Sequence, residues 1–199
     1  MKVLVACEES QTVTKAFRRL GIEAYSCDIQ ECSGGHPEWH IQGDALEQAY
    51  SGEYDLMIAH PPCRYLSKAG ARWMKPKGDM VCQVRFALAM QAKDFFMKLL
   101  DAPIPYVAVE NPIPLKICGL PKCTQIVHPY QYGDPYSKTT LLWLKNLPEL
   151  QPTNVVDSIG SWTELNRKVS KRSKTFNGIA DAMASQWLSF IGDSNGILS

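Results

Sequence analysis

Hydrophobic residues occur along the chain in short continuous runs that alternate with longer amphipathic stretches. The runs at residues 3–6, 55–59 and 106–109 are continuous, as expected for strands of a parallel sheet that is covered on both faces. Alternation of such strands with helices favours a doubly wound, Rossmann-like α/β fold with a mostly parallel sheet. We therefore predict a single domain over residues 1–192 and a flexible tail over residues 193–199.

The remaining elements follow from the same pattern. Residues 12–20 predict an amphipathic helix with Val13, Ala16, Phe17 and Leu20 on one face, and Gly21 ends it. The longest predicted helix covers residues 80–100, with apolar positions recurring at helical spacing from Val84 onward. Shorter segments complete the prediction: strands at 23–27 and 139–144, helices at 44–50 and 178–190, and a long loop at 113–134.

Composition changes this picture little. The 199 residues are 45% hydrophobic, which suits one domain, and a net charge of +1 gives no overall attraction for nucleic acid. No apolar run is long enough to cross a membrane, and the seven cysteines come without a secretion signal. We expect a cytoplasmic protein with reduced thiols and no metal, because the spacing of Cys118, Cys123 and His128 is not a common zinc pattern.

Four of the predicted strands end in polar or reactive residues. They are followed by Cys7-Glu8, by Asp28, by His60-Pro61-Pro62-Cys63 and by Glu110-Asn111. Ligands of doubly wound sheets bind at the carboxyl ends of the strands, near the point where the strand order reverses. These residues therefore predict one site at that edge of the sheet.

The early strand ends indicate a cofactor. Asp28 either stands where doubly wound folds hold ribose hydroxyls or is an ordinary exposed loop acid. Asp44 accepts from an adenine amino group, caps a helix, or does both. Glu8 and Glu9 replace the glycines of a phosphate-binding turn and oppose a phosphate at the helix N-terminus. S-adenosylmethionine, whose reactive end is cationic and free of phosphate, is a better fit.

Cys63 and Glu110 carry the chemistry. Cys63 follows two prolines and is therefore held on a stiff turn, although a cysteine taken alone is more often structural. A nearby helix N-terminus or Arg64 would raise the thiolate fraction of Cys63. Glu110 ends an apolar strand, so we expect burial to raise its pKa and keep it protonated, able to donate to N3 of cytosine. Together they favour a nucleophile acting on a pyrimidine.

These motifs resemble those of DNA cytosine-C5 methyltransferases. Pro62-Cys63 is similar to the catalytic Pro-Cys motif of that family, and Glu110-Asn111 to its Glu-Asn-Val motif. Residues 174–187 look like the closing motif, whose helix packs beside the cofactor, and residues 129–148 are typical of short bacteriophage members. The resemblance covers most of residues 1–190, but the glycine-rich first motif and the large target-recognition domain are absent.

The resemblance implies a role for each site residue. Cys63 would add to C6 of cytosine, Glu110 would stabilise the protonated N3, and S-adenosylmethionine would donate the methyl group. The expected cofactor-binding residues are Ala6, Cys7, Glu8, Asp28, Ile29, Asp44, Pro61 and Asn177. The expected substrate-binding residues are Pro62, Arg64, Ser67, Asn111, Lys138 and Thr140.

The partner is expected to be a nucleic acid or a pyrimidine nucleotide. The cluster Arg167, Lys168, Lys171, Arg172 and Lys174 is either a solvated loop or a phosphate-contacting patch. Two other functions remain open. One is a catalytically inactive nucleotide-binding protein of a phage with the same fold, and the other is an amino-methylating enzyme in which His60 accepts from the target amine. The sequence does not determine the oligomeric state.

Overall fold

A computed structural model describes residues 1–75, 80–162 and 174–194. These residues form a sheet of seven strands, with the bounds Lys2–Ala6 (β1), Glu23–Asp28 (β2), His40–Gln42 (β3), Leu56–Ala59 (β4), Tyr106–Pro112 (β5), Gln125–Val127 (β6) and Thr140–Lys145 (β7). The strand order is β3-β2-β1-β4-β5-β7-β6. Strands β1 to β5 pair in parallel, whereas β7 is antiparallel to both β5 and β6. The predicted doubly wound, mostly parallel fold is confirmed.

Helices cover both faces of this sheet, because successive residues of a strand point to opposite faces. Val3 and Val5 of β1 pack into one hydrophobic cluster with α1 and α5, while Leu4 and Ala6 pack into another with α2 and α4. The helix bounds are Thr12–Arg19 (α1), Ala45–Ala49 (α2), Ala71–Met74 (α3), Gln83–Leu100 (α4) and Asn177–Ser194 (α5). None of the described helices is both long and apolar enough to cross a membrane.

Several predicted details were wrong. Leu20 is 52% exposed, because α1 ends one residue earlier and Leu20 is its C-cap. The long helix α4 begins at Gln83 rather than at 80, and Val84 in its first turn is 72% exposed, so the buried apolar face of the helix begins further along. The predicted loop at 113–134 contains β6, a three-residue edge strand too short to give a pattern.

The last helix also runs further than predicted. It continues to Ser194, so residues 193–194 of the predicted tail are helical, and residues 195–199 lie outside the described part of the chain.

The strand order places the point of reversal between β1 and β4. From β1 the chain moves outward to β2 and β3, and it returns through β4 to the other half of the sheet. A crevice therefore opens at the carboxyl ends of β1 and β4, where doubly wound folds bind ligands.

Candidate active site

A cavity of about 700 Å³ lies at this edge of the sheet. Its volume is in the range of small-molecule and cofactor sites. The residues after β1, β2 and β4 form one side, and α4 forms the opposite side. It is lined by Cys7, Glu8, Glu9, Ser10, Asp28, Ile29, Gln30, Gly43, Asp44, Ala45, His60, Pro62, Tyr65, Leu88, Gln91, Ala92, Phe95, Lys174 and Thr175.

The turn after β1 uses a carboxylate where other folds hold phosphate. The carboxylate of buried Glu8 accepts from the backbone N–H of Val13 at 2.7 Å, and from the N–H and hydroxyl of Thr14 at 3.2 and 2.8 Å. Glu8 thus caps the first turn of α1 and satisfies its free donors. Glu8 lines the cavity, but its carboxylate already occupies the N-terminus of α1, the place where other folds bind a phosphate.

Two acids lie at the ends of the next strands, Asp28 as the last residue of β2 and Asp44 just after β3. Asp28 Oδ1 accepts from the N–H of Gln30 at 2.9 Å, and Asp44 Oδ1 accepts from the N–H of Leu46 at 2.8 Å, capping α2 as one interpretation of the sequence predicted. Ile29 also lines the cavity and is 78% exposed. These acids and the apolar Ile29 side chain therefore face the same space.

The reactive corner of the site joins β4 to β5. Glu110, whose side chain is 14% exposed, accepts a hydrogen bond at Oε2 from Nδ1 of His60 at 3.2 Å. Burial alone raises the pKa of the Glu110 carboxyl, but the His60 hydrogen bond and the charge of Lys138 outweigh it, so this pKa lies below its ordinary value. The expectation of a protonated Glu110 was therefore wrong, because it considered burial without these two partners.

Cys63 lies in the same corner. Burial and the nearby charge of Glu110 raise the pKa of its thiol, and a backbone hydrogen bond, the charge of Lys138 and a hydrogen bond with Ser67 offset this only in part. The Arg64 guanidinium lies over the ring of Tyr65, 5.6 Å from its centroid, and is not among the groups that lower this pKa. The prediction that Arg64 raises the thiolate fraction is thus not supported.

His60 connects this corner to the cavity. It lines the cavity, and its Nδ1 carries the proton because an ionised carboxylate can only accept. Its Nε2 is buried and has no hydrogen-bond partner among the described residues. Sequence reasoning gave His60 no role in the favoured function, although its position directly before Pro61-Pro62-Cys63 was a usable signal.

The other predicted substrate-binding residues lie either near the cavity and Cys63 or within the strands β5 and β7. Pro62 lines the cavity, and Ser67, Lys138 and Glu110 surround Cys63. Asn111 is fully buried and its Nδ2 donates to the carbonyl of Pro112 at 2.6 Å, while its Oδ1 has no partner in the described part of the chain. Thr140 is buried at the start of β7.

Three predicted cofactor residues lie outside the cavity lining. Ala6 is fully buried, and its carbonyl accepts from the N–H of His60 at 2.9 Å. Pro61 is also buried. Asn177 instead lines a second cavity of about 330 Å³ with Asp134, Tyr136 and Trp162. The cluster residues Arg167, Lys168, Lys171 and Arg172 lie outside the described residues.

The side of the cavity formed by α4 was missed. Leu88, Gln91, Ala92 and Phe95 line it, and the sequence placed these residues on one helical face without assigning that face to a ligand. Gln91, a polar residue within this apolar face, was the signal that it does not meet only core. Thr175 was missed as a lining residue too.

Comparison with known proteins finds solved structures of similar fold. No protein family profile matches the chain, and no curated protein matches it. Among solved structures it is similar to a putative DNA modification methyltransferase encoded within an E. coli prophage (14% identity, TM-score 0.47) and to the Entamoeba histolytica methyltransferase EhMeth (16%, 0.48). It is also similar to a mutant of Spodoptera frugiperda DNMT2 (13% identity, TM-score 0.42).

Each of these matches covers 79% of this chain. The chain spans about half the length of the three matched proteins, at 52%, 57% and 55% respectively. Identities this low concern the fold alone.

Proposed function

We propose that the protein is an S-adenosylmethionine-dependent methyltransferase that methylates C5 of a cytosine base through a covalent bond to Cys63. The observation that carries this proposal is the grouping of Cys63, Glu110 and Lys138. None of the three lines the cavity itself, but His60, which donates to Glu110, and Pro62, which precedes Cys63, both do. A thiol, a carboxylate and a cation within electrostatic reach of one another supply a nucleophile, an acceptor for the base and a stabilising charge.

The cavity residues fit S-adenosylmethionine. Glu9, Asp28 and Asp44 line the cavity, and their negative charge suits a ligand with sulfonium and ammonium groups. Asp28 would accept from the ribose hydroxyls and Asp44 from the adenine amino group, while the α4 face would cover the apolar parts. When bound, S-adenosylmethionine supplies the methyl group.

The chemistry begins with the thiol. Because its pKa is raised, Cys63 must lose a proton before it attacks, and Lys138 and Ser67 stabilise the thiolate that forms. The sulfur then bonds to C6 of the ring, the electrons of the C5–C6 double bond shift toward C4 and N3, and N3 takes up a proton from solvent in place of the one that the thiol released to it. C5 becomes nucleophilic as a result. After methylation, water removes the C5 proton, and the electrons of that C–H bond re-form the C5–C6 double bond. The S–C6 bond breaks with its electrons going to the Cys63 sulfur, and N3 returns its proton to solvent.

An ionised Glu110 suits cytosine. Its carboxylate accepts from the exocyclic amino group of cytosine and stabilises a proton on N3. Uracil has the acceptor O4 in place of that amino group and so has no donor there for the carboxylate. His60 donates to this carboxylate, so the His60–Glu110 pair holds a proton next to the position proposed for N3. We assign His60 as a positioning residue that orients Glu110.

The direct test is product analysis. Purified protein is incubated with isotope-labelled S-adenosylmethionine and, separately, duplex DNA, single-stranded DNA or a cytidine nucleotide, and the bases are identified by mass spectrometry. We expect 5-methylcytosine from at least one substrate, none from Cys63→Ala, and unchanged product from Cys123→Ala, a partly buried cysteine outside the site. Methylation at N4 would support the amino-methylating alternative instead.

A further inference from the structure

Two arginines pack on the ring of Tyr65, a residue that lines the cavity. The guanidinium carbons of Arg64 and Arg85 are 5.6 and 5.0 Å from the centroid of its ring. Nη2 of Arg85 also donates to the backbone carbonyl of Arg64 at 2.9 Å. Two positive side chains from different segments, one after β4 and one on α4, are therefore held on the same aromatic ring.

The backbone is shaped to allow this approach. A Cβ atom at Gly70 would overlap Nη2 of Arg85 and would lie 2.9 Å from the carbonyl oxygen of Arg64. Only glycine leaves the space that the guanidinium of Arg85 occupies. Nε of Arg85 is buried and has no hydrogen-bond partner among the residues that the structure describes. A buried donor of this kind costs free energy unless a ligand satisfies it.

Neither arginine is neutralised by an acid within the described ranges. The sequence around them is strongly biased, since residues 64–93 contain seven lysines and arginines and Asp79 as their single acid. The net charge of +1 for the whole chain conceals this local excess. Both guanidinium groups lie on one ring without an acidic partner among these residues, and a bound anion would supply that counter-charge.

The position of the pair connects it to the proposed chemistry. Arg64 follows Cys63 directly, and Tyr65 lines the cavity. Arg85 lies three residues before Leu88 on α4, so both are on the face of the helix that borders the cavity. An anion held by the two arginines would therefore lie at the edge of the space next to the nucleophile.

We propose that Arg64 and Arg85, packed on Tyr65, bind a phosphate group of the substrate. Guanidinium groups match phosphate oxygens with two parallel hydrogen bonds, which a single lysine cannot provide. The substrate is then a cytidine nucleotide, free or within a strand, and not a nucleoside. The identity of the base rests on the proposed function, whereas the phosphate site is testable by binding alone.

The test compares three probes by calorimetry: deoxycytidine, deoxycytidine monophosphate, and a short single strand with one cytosine. The wild-type protein should bind the two phosphate-bearing probes at least about tenfold more tightly than the nucleoside. Arg85→Ala and Arg64→Ala should each remove most of this difference, and Arg85→Lys should restore part of it. Lys122→Ala, an exposed base in the loop before β6, should leave all affinities unchanged.

Gly70→Ala provides a second route, because it displaces Arg85 without removing any charge. It should lower affinity for both phosphate-bearing probes and leave deoxycytidine binding unchanged. This variant still tests the phosphate site if an arginine variant fails to fold. A strand that binds far more tightly than the mononucleotide identifies a strand as the phosphate source, and equal affinities identify the free nucleotide.

The proposal is overturned if the wild type binds nucleoside and nucleotide equally. It is also overturned if Arg85→Ala weakens S-adenosylmethionine binding and leaves nucleotide binding unchanged, because the pair would then hold the cofactor carboxylate. The proposed function fails separately: phosphate-dependent binding without any methylated product would leave the phosphate site intact, and methylation of a nucleoside would leave the chemistry intact.

Discussion

Nδ1 of His60 donates to Oε2 of Glu110 across 3.2 Å, joining the residue that follows β4 to the carboxyl-terminal half of β5. The partners are 50 residues apart in sequence. Because this bond and Lys138 lower the pKa of Glu110, the site holds a negative charge at the position proposed to face the base.

Removing the partner of Glu110 should change the pH dependence of stability. The folded-state pKa of Glu110 lies below its ordinary value of 4.5, so its contribution is present above that value and is lost as the pH falls through the folded-state pKa. We expect His60→Ala to cost about 2 kcal/mol at pH 7 and to reduce the acid sensitivity of unfolding. Urea unfolding from pH 7 to 3 measures both, and an unchanged pH profile would contradict the role of the His60 hydrogen bond in lowering the pKa of Glu110.

Activity should rise with pH through the neutral range, because the pKa of the Cys63 thiol lies above its ordinary value and the thiolate is scarce at pH 7. Lys138→Ala removes a charge that lowers this pKa, so the rise should move to higher pH with about tenfold less activity at pH 7. Lys138→Arg should keep most of the activity. The rate of Cys63 alkylation against pH gives an independent readout, and a profile unaffected by Lys138→Ala would contradict this account.

Glu8 and Glu9 are adjacent acids in the cavity lining with different expected roles. Glu8→Ala leaves the N–H groups of Val13 and Thr14 without their acceptor, so it should lower the free energy of unfolding by about 1–2 kcal/mol. Glu9→Ala should leave stability almost unchanged and weaken S-adenosylmethionine binding instead. Urea unfolding and calorimetry of the two variants separate these roles, and a reversed pattern would refute both assignments.

Gly178 fixes the start of α5 against the loop before β7. A Cβ atom there would overlap the carbonyl oxygen of Tyr132, so Gly178→Ala should destabilise the protein by about 3 kcal/mol. Gly43→Ala is the matched control, because a Cβ atom at Gly43 meets nothing within 4 Å. Thermal unfolding of both variants measures the difference, and equal effects would mean that the contact is relieved at no cost.

Much of the fold could be predicted because each central strand is a short apolar run followed by polar residues. This pattern predicts Asp28, Cys63 and Glu110 at one edge of the sheet. The strand β6 gave no such signal, since it has three residues and is defined by its pairing with β7.

The ionisation of the site could not be predicted in the same way. The pKa of Glu110 depends on His60 and Lys138, which only the folded chain brings near, and burial alone gave the wrong sign. The same holds for Arg64, whose sequence position next to Cys63 indicated an effect on the thiol, whereas its side chain packs on Tyr65. Side-chain direction decided these outcomes, and it depends on contacts that are distant in sequence.

The account rests on Cys63 as the nucleophile, and a cytosine with fluorine at C5 tests that role most directly. Fluorine cannot leave as the C5 proton does, so methyl transfer would leave the base bound to the enzyme. We predict, with S-adenosylmethionine present, a covalent adduct carrying one added methyl group, mapped by mass spectrometry to the peptide containing Cys63 and absent from Cys63→Ala. Undiminished formation of 5-methylcytosine by Cys63→Ala, or an adduct on another cysteine, would contradict the account.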